Sequence, residues 1–259
     1  MSTAAAKARL EGAILRIELD RPKANVLSME MMGEIEAALD AHRENAKLKL
    51  VTLRGSGSNF SFGASVPEHV KEKAPGMLAA FHRTIRAVAT FPVPVAALVE
   101  GRCLGGAFEL ALACHYLFAK ESAVFACPEV KLGVVPPVLA VLGHHRLGAP
   151  LTERLVTTGA EISAKEADAR GAVTAMVPGE ADLDRFATEW FDKHLAPLSA
   201  FALREATFAA RSGSGIFASL GAPLDAAEAR YVERLLPSHD GNEGIAAFLE
   251  KRAPVWVDR

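Results

Sequence analysis

Val93-Pro-Val-Ala-Ala-Leu-Val-Glu-Gly-Arg-Cys-Leu-Gly-Gly-Ala-Phe-Glu-Leu-Ala-Leu-Ala-Cys114 is the stretch that decides how this chain reads. Val93 to Val99 is apolar throughout, as in a strand buried on both faces. Gly101 to Gly106 reads as a turn, and Ala107 to Cys114 as a buried helix. The paired Gly105 and Gly106 clear side chains from the helix start. Unsatisfied N–H groups at the positive end of the helix dipole can then face a ligand. One turn later Glu109 returns to the same face, where its carboxylate overhangs whatever the Gly106 N–H binds. Its neighbours Phe108, Leu110 and Ala111 are apolar, and such burial raises a carboxyl pKa toward the range of an acid–base group.

Upstream, Ala13 to Leu19 alternates as a half-buried strand, with Leu15, Ile17 and Leu19 on one side. Arg21-Pro22-Lys23-Ala24-Asn25 is a loop, and Ser28 is placed to cap a helix with Met32, Ile35 and Leu39 on its apolar face. Leu50 to Leu53 is a second strand, and Pro75 to Ala89 a helix with Leu78, Phe81, Ile85 and Val88 in one stripe. Short strands are expected at Tyr116 to Ala119 and Val124 to Ala126. Beyond residue 137 helices dominate: Leu151–Thr157, Ala164–Arg170, Leu183–His194, Ala200–Arg211, Ala226–Leu235 and Glu243–Lys251, with one strand at Val173–Val177. Ser163/Glu166, Asp225/Glu228 and Asp240/Glu243 have the spacing of capping boxes. The fold class is therefore α/β, with a helical second half.

The chain has 259 residues, 50% of them apolar, which suffices for a sizeable core and excludes a disordered tail protein. Lys and Arg number 29 against 31 Asp and Glu, so no basic excess exists to neutralise a nucleic-acid backbone. Met1 to Glu11 shows no apolar core of a secretory signal, and charges break the most apolar window, Val93 to Leu117. Cys103, Cys114 and Cys127 sit in apolar stretches and read as buried, reduced thiols. A cytoplasmic protein is expected, with neither nucleic acid nor membrane as partner.

Three motifs fail on their own chemistry. Gly55-Ser56-Gly57 follows a strand, but Phe60 occupies the third glycine position of a dinucleotide fingerprint and no helix opens there. His144 and His145 are adjacent, so on a helix they diverge by about 100° and no metal site is assigned. Nothing in the spacing pairs His82 or His115 with a cysteine nucleophile. What remains is a set of four: the Phe60-Ser61-Phe62-Gly63-Ala64-Ser65 turn, the Gly101–Gly106 turn, Glu109, and Glu129 in the apolar setting Ala126–Leu132. Two carboxyls beside two backbone donors could bind a carbonyl oxygen, stabilise an enolate and move protons at a neighbouring carbon. On spacing alone, two satisfied core carboxylates and ordinary glycine turns stand as the alternative.

These elements, in this order and over essentially the whole chain, resemble the enoyl-CoA hydratase/isomerase (crotonase) family. The resemblance rests on Arg21-Pro22-Lys23-Ala24-Asn25, Phe62-Gly63-Ala64, Gly101 to Glu109, Pro128-Glu129-Val130-Lys131-Leu132-Gly133 and Phe248-Leu249-Glu250-Lys251-Arg252. It implies a spiral of ββα units over residues 1–195. A helical region at 196–259 would cover the pocket and assemble trimers or hexamers. It further implies an acyl-CoA substrate whose coenzyme A is part of the substrate, with no separate cofactor. By the same analogy the N–H groups of Ala64 and Gly106 form an oxyanion hole. Glu109 would deprotonate the attacking water, and Glu129 would supply the carbon-bound proton. Coenzyme A would lie along Lys23, Ala24, Ser65, Val66 and Gly105, its phosphates near Arg21, Lys23, Lys71 or Lys251.

Within the family, Phe62 to His69 and the ending from Ser238 to Trp256 are most similar to members that hydrate a cyclic dienoyl-CoA. Ser65 replaces a usual Asp, and Pro136-Pro137-Val138-Leu139-Ala140 stands where the family often has a glycine-rich loop. That change stiffens and fills the loop, and if the loop faces the acyl group, as the resemblance implies, a compact ring suits it better than an extended chain. A short-chain enoyl-CoA hydratase, an enoyl-CoA isomerase and a non-catalytic acyl-CoA binder are the competing readings.

Overall fold

The computed structural model describes residues 4–21 and 23–259. The first three residues of the N-terminal stretch, and Pro22 of the Arg21–Asn25 loop, lie outside them. The strands are β1 (Ala6–Glu11), β2 (Ile14–Leu19), β3 (Leu50–Gly55), β4 (Val95–Val99), β5 (Arg102–Leu104), β6 (Tyr116–Lys120), β7 (Val124–Ala126), β8 (Glu161–Ser163) and β9 (Ala175–Val177). Helices α1 (Met29–His42), α2 (Ala74–Ala89) and α3 (Gly106–Ala113) alternate with them. There follow α4 (Pro137–Arg146), α5 (Ala149–Thr158), α6 (Ala164–Asp168), α7 (Leu183–His194), α8 (Ala200–Gly213), α9 (Ile216–Ser219), α10 (Ala222–Arg230) and α11 (His239–Glu250).

A larger sheet runs in the order β1-β2-β3-β4-β6-β9, parallel except for the β1–β2 hairpin. A smaller one runs β5-β7-β8. β4 leads through β5 into α3, and β6 leads through β7 into the 3₁₀ turn Pro128–Leu132. β3 does the same through Ser61, bridged to Cys103, before α2; β2 does so through Leu27, bridged to Ala64, before α1. Each circuit thus lays one strand in the larger sheet and one in or beside the smaller, and most then add a helix. This is the expected spiral of ββα units. Apolar side chains between the layers form the main core, while Leu183, Ala187 and Phe191 of α7 cover Ile14, Leu50, Leu98 and Phe118 on the other face of the larger sheet. Among the described residues, no helix is long and apolar enough to cross a membrane.

Several elements depart from the sequence reading, each for a physical reason. β1, which the sequence reading left out, alternates Ala6, Ala8 and Leu10 with Lys7, Arg9 and Glu11, but it is exposed along most of its length and its pairing with β2 makes it a strand. The Gly101–Gly106 turn contains β5, whose parallel partner β7 lies far along the chain and leaves no local period. Pro136-Pro137 opens α4, with Pro137 in the first turn, where a missing N–H costs nothing. Of the three capping boxes only Ser163/Glu166 forms. α10 begins at Ala222, leaving Asp225 to pair with Arg86 and Glu228 with His82. Ser238 caps α11, while Asp240 accepts from Val257 N and Asp258 N and Glu243 pairs with Arg252. A nearby hydroxyl that reaches the free amides outcompetes a carboxylate already engaged elsewhere.

Helix α11 matters because it lies against the Pro128–Leu132 turn that carries Glu129. A β-carbon on Gly244 would stand 2.2 Å from the carbonyl oxygen of Leu132, so only glycine allows this approach. Gly244→Ala is therefore expected to cost about 1–3 kcal/mol, lowering the thermal midpoint by several degrees. Gly213→Ala, with no atom within 4 Å of the added carbon, should leave the midpoint unchanged or raise it slightly. Thermal unfolding of both variants checks the contrast.

Candidate active site

The smaller sheet brings two distant turns side by side. Leu104 N donates to Ser61 O at 3.0 Å, and Ser61 N donates to Arg102 O at 3.2 Å. Residues 61–64 therefore run along residues 103–106, and a β-carbon on Gly106 would meet Ala64 Cβ at 3.5 Å. Gly106 opens α3, so its amide has no intrahelical acceptor. Among the described residues no acceptor is hydrogen-bonded to the N–H of Ala64 or of Gly106. Gly105 adopts φ +54°, and a β-carbon there would strike Glu129 Oε1 at 2.7 Å. That contact locates the Glu129 carboxyl directly over the start of α3.

Glu109 faces the same space from one turn up α3 and is only 2% exposed. Its Oε1 accepts the Leu139 N–H at 2.7 Å. Pro136, the N-cap position of α4, has no side chain able to cap that helix, so Glu109 serves in its place. Burial pushes the Glu109 carboxyl up to about 7, against the opposing pull of the Leu139 and Val138 amides. Glu129 is half-buried as a residue, but its Oε2 is shut off from solvent and finds no hydrogen-bond partner among the described residues. Burial first, and then the nearby Glu109, hold its carboxyl well above the ordinary range. Both carboxyls are thus held above the ordinary range, and because they share one space they titrate as a coupled pair.

Both acids line an inner chamber of about 20 Å³, room for about one water molecule. Ala64, Gly106, His69, Pro136 and Pro137 line it as well, and so does Tyr231. An apolar groove of about 410 Å³ leads to it, lined in part by Ala24, Ala64, Val66, Gly105, Glu129 and Phe248. Of the residues expected to bind coenzyme A, Ala24, Val66 and Gly105 thus face the groove. Lys23 and Ser65 do not line it: Lys23 is exposed on a left-handed turn (φ 79°), and Ser65 precedes a 3₁₀ turn.

Tyr231 and His69 were not among the residues read as functional. Tyr231 is 1% exposed, and its hydroxyl has no hydrogen-bond partner. It sits on a π-helical turn after α10, and His82 Nδ1–Glu228 Oε2 at 2.5 Å ties that helix to α2. Burial and the two acids raise its phenol above the usual value, so it stays a neutral donor. His69 Nδ1 lies 2.9 Å from Ser65 O. No local pattern marks either residue; only packing brings them to the acids. The three cysteines are free and buried, and burial raises their thiols.

Residues 9–259 match the family described as enoyl-CoA hydratase/isomerase. The chain belongs to that family. As a member of the enoyl-CoA hydratase/isomerase family it is 39% identical over 249 residues to cyclohexa-1,5-dienecarbonyl-CoA hydratase of Thauera aromatica, covering 96% of this chain and 95% of the relative. It is 34% identical to carnitinyl-CoA dehydratase of Salmonella typhi, with 96% of each chain covered. The crystal structure of an enoyl-CoA hydratase from Mycobacterium avium subsp. paratuberculosis K-10 superposes with a TM-score of 0.86 at 26% identity, over 99% of this chain and all of that one.

Because ionised Glu109 is costly in its apolar setting, the folded protein should lose stability as pH rises through about 7. The sign follows from a folded pKa raised above the unfolded one: the penalty is absent below the unfolded value and complete above the folded one. Glu109→Gln keeps an acceptor for the Leu139 amide and removes the charge. Its thermal midpoint should match the parent near pH 5 and exceed it by a few degrees at pH 8.

Proposed function

We propose that this hydro-lyase of the family adds water to a conjugated cyclic dienoyl-CoA, converting cyclohexa-1,5-diene-1-carbonyl-CoA to 6-hydroxycyclohex-1-ene-1-carbonyl-CoA. The observation that carries the reading is the water-sized chamber in which two carboxyls, both held above the ordinary range, and a phenol meet beside two unpaired amides. Coenzyme A enters as part of the substrate, along the Ala24, Val66 and Gly105 side of the groove, and no separate cofactor is required.

The thioester oxygen accepts the N–H groups of Ala64 and Gly106. Glu109, as carboxylate, removes a proton from the water in the chamber, and the water oxygen bonds to the β-carbon. The electron pair of that double bond moves toward the thioester, whose oxygen carries the developing charge against the two amides. Glu129 then delivers its proton to the far vinylogous carbon, so one double bond survives, now conjugated to the thioester. Transfer between the two acids through solvent restores the starting protonation. Tyr231 holds the water: buried waters typically make about three hydrogen bonds, and the two acids plus this phenol supply them. Val135, Pro136 and Pro137 wall the chamber with rigid backbone, which favours a compact ring over an extended chain. The relative from Thauera aromatica, named for this substrate, supports the same choice. The helices of 196–259 contribute Tyr231 and Phe248 to the walls, and we assign the same region the packing of further copies.

Incubation with the cyclic dienoyl-CoA should give the 6-hydroxy product by mass spectrometry and NMR, with solvent ¹⁸O incorporated. A strong preference for crotonyl-CoA would move the reading to a short-chain hydratase, and a product without ¹⁸O would move it to an isomerase. Glu129→Gln should lower kcat about 10²–10⁴-fold. kcat/KM should rise with pH through about 7 as Glu109 ionises. Tyr231→Phe should lower kcat at least about tenfold with KM little changed, since one hydrogen bond to the water is lost. An unchanged kcat would remove the phenol from the mechanism.

A further inference from the structure

Away from the acids, α8 closes a second cavity, of about 280 Å³, over the ends of β4 and β6. His115, Tyr116, Arg146, Thr207 and Arg211 are the polar residues of its wall apart from Ser214, and no carboxylate lines it. Arg211 is only 5% exposed, yet among the described residues its Nη1 and Nη2 find no hydrogen-bond partner, and the buried atoms Arg146 Nε and His115 Nε2 are equally unpartnered. Val95 N donates to His115 Nδ1 at 3.1 Å, which leaves the ring proton on Nε2 and makes that atom a donor as well. Thr207 and Ser214 already spend their hydroxyl protons on the carbonyls of Leu203 and Arg211. Glu44 and Glu205 line an adjoining cavity that shares His115, Thr207 and Arg211. The groups that act electrostatically on Arg211 are instead Arg146, Cys114 and Tyr116, of which only Arg146 carries a charge near neutral pH.

A buried guanidinium without a counter-charge strongly destabilises a fold, and the half-buried Arg146 adds a second positive charge to the same wall. Donors without acceptors, converging from α4, α8 and the start of β6, form a site built for oxygen anions. We propose that this cavity binds an anionic oxygen ligand, a carboxylate or phosphate group, held by Arg146, Arg211 and His115 Nε2. Two sources supply that chemistry: a free anion, or an acidic side chain from a second copy of this chain. The exposed Phe201 (73%) and Phe208 (62%) on the same helix provide apolar surface beside the cavity for the second source.

Thermal unfolding in chloride buffer, with inorganic phosphate added at constant ionic strength, tests the site together with sedimentation of the parent and Arg211→Met. A free anion is indicated if phosphate raises the parent midpoint by roughly 5 °C while Arg211→Met does not respond. A carboxylate from a second copy is indicated if phosphate leaves the parent unmoved and Arg211→Met sediments as a smaller species. No phosphate response together with an unchanged mass overturns the proposal, whatever the midpoint of the variant. If Arg211→Met does not fold, Arg211→Lys takes its place. It keeps the charge but not the two-pronged geometry, and should weaken the phosphate response about tenfold or shift the mass in the same direction.

Discussion

A carboxylate in an apolar interior must find donors or give up its charge, and the spiral core holds two such groups within one small chamber. Glu109 finds donors by capping α4, whose own N-cap is a proline. Glu129 finds none for Oε2 among the described residues, and burial with the nearby Glu109 holds its carboxyl well above the ordinary range. The asymmetry between the two acids, and hence their division into base and acid in the proposed reaction, comes from that one helix terminus. It also couples catalysis to architecture: the cap that tunes Glu109 sets where α4 begins, and with it the proline wall of the chamber.

The spiral supplies the rest by repetition. Each circuit passes from the larger sheet to the smaller and commonly into a helix, so successive turns stack their strand-to-helix junctions beside one another. Junctions are where amides go unpaired. Stacking puts Ala64 of one circuit next to Gly106 of the next, and Glu129 of the third over Gly105. A pair of unpaired amides beside an apolar groove is a natural product of this winding, and fixed donors of this kind cost no reorganisation if charge develops on the oxygen they meet, as in the proposed reaction.

The later helices complete what the spiral leaves open. α11 rests on the turn that carries Glu129 through a close approach only Gly244 allows, and the π-turn after α10 lowers Tyr231 toward the acids. The hydrogen bond between His82 Nδ1 and Glu228 Oε2 fixes that helix to α2, so the phenol's position depends on contacts made well away from it.

Much of this was legible in the sequence. The apolar run before Gly101, the paired glycines, and a glutamate one turn later already imply a buried carboxyl above a helix start, because helical spacing is local. Alternation in β2 and the 3.6-residue stripes of α1 and α2 are equally local. The three-residue strands β5 and β8 were not legible, since their partner β7 lies distant in sequence and they are too short to show a period; β1 does alternate, but its small, exposed Ala6 and Ala8 give that pattern little weight. The sequence showed two prolines where a glycine-rich loop was expected; only tertiary packing made them the first turn of a helix capped by Glu109. Tyr231 and Arg211 look like ordinary helical residues in the chain. Their unpaired groups become informative only when folding removes water from them, because an unmet hydrogen bond has a cost only once solvent can no longer supply the partner.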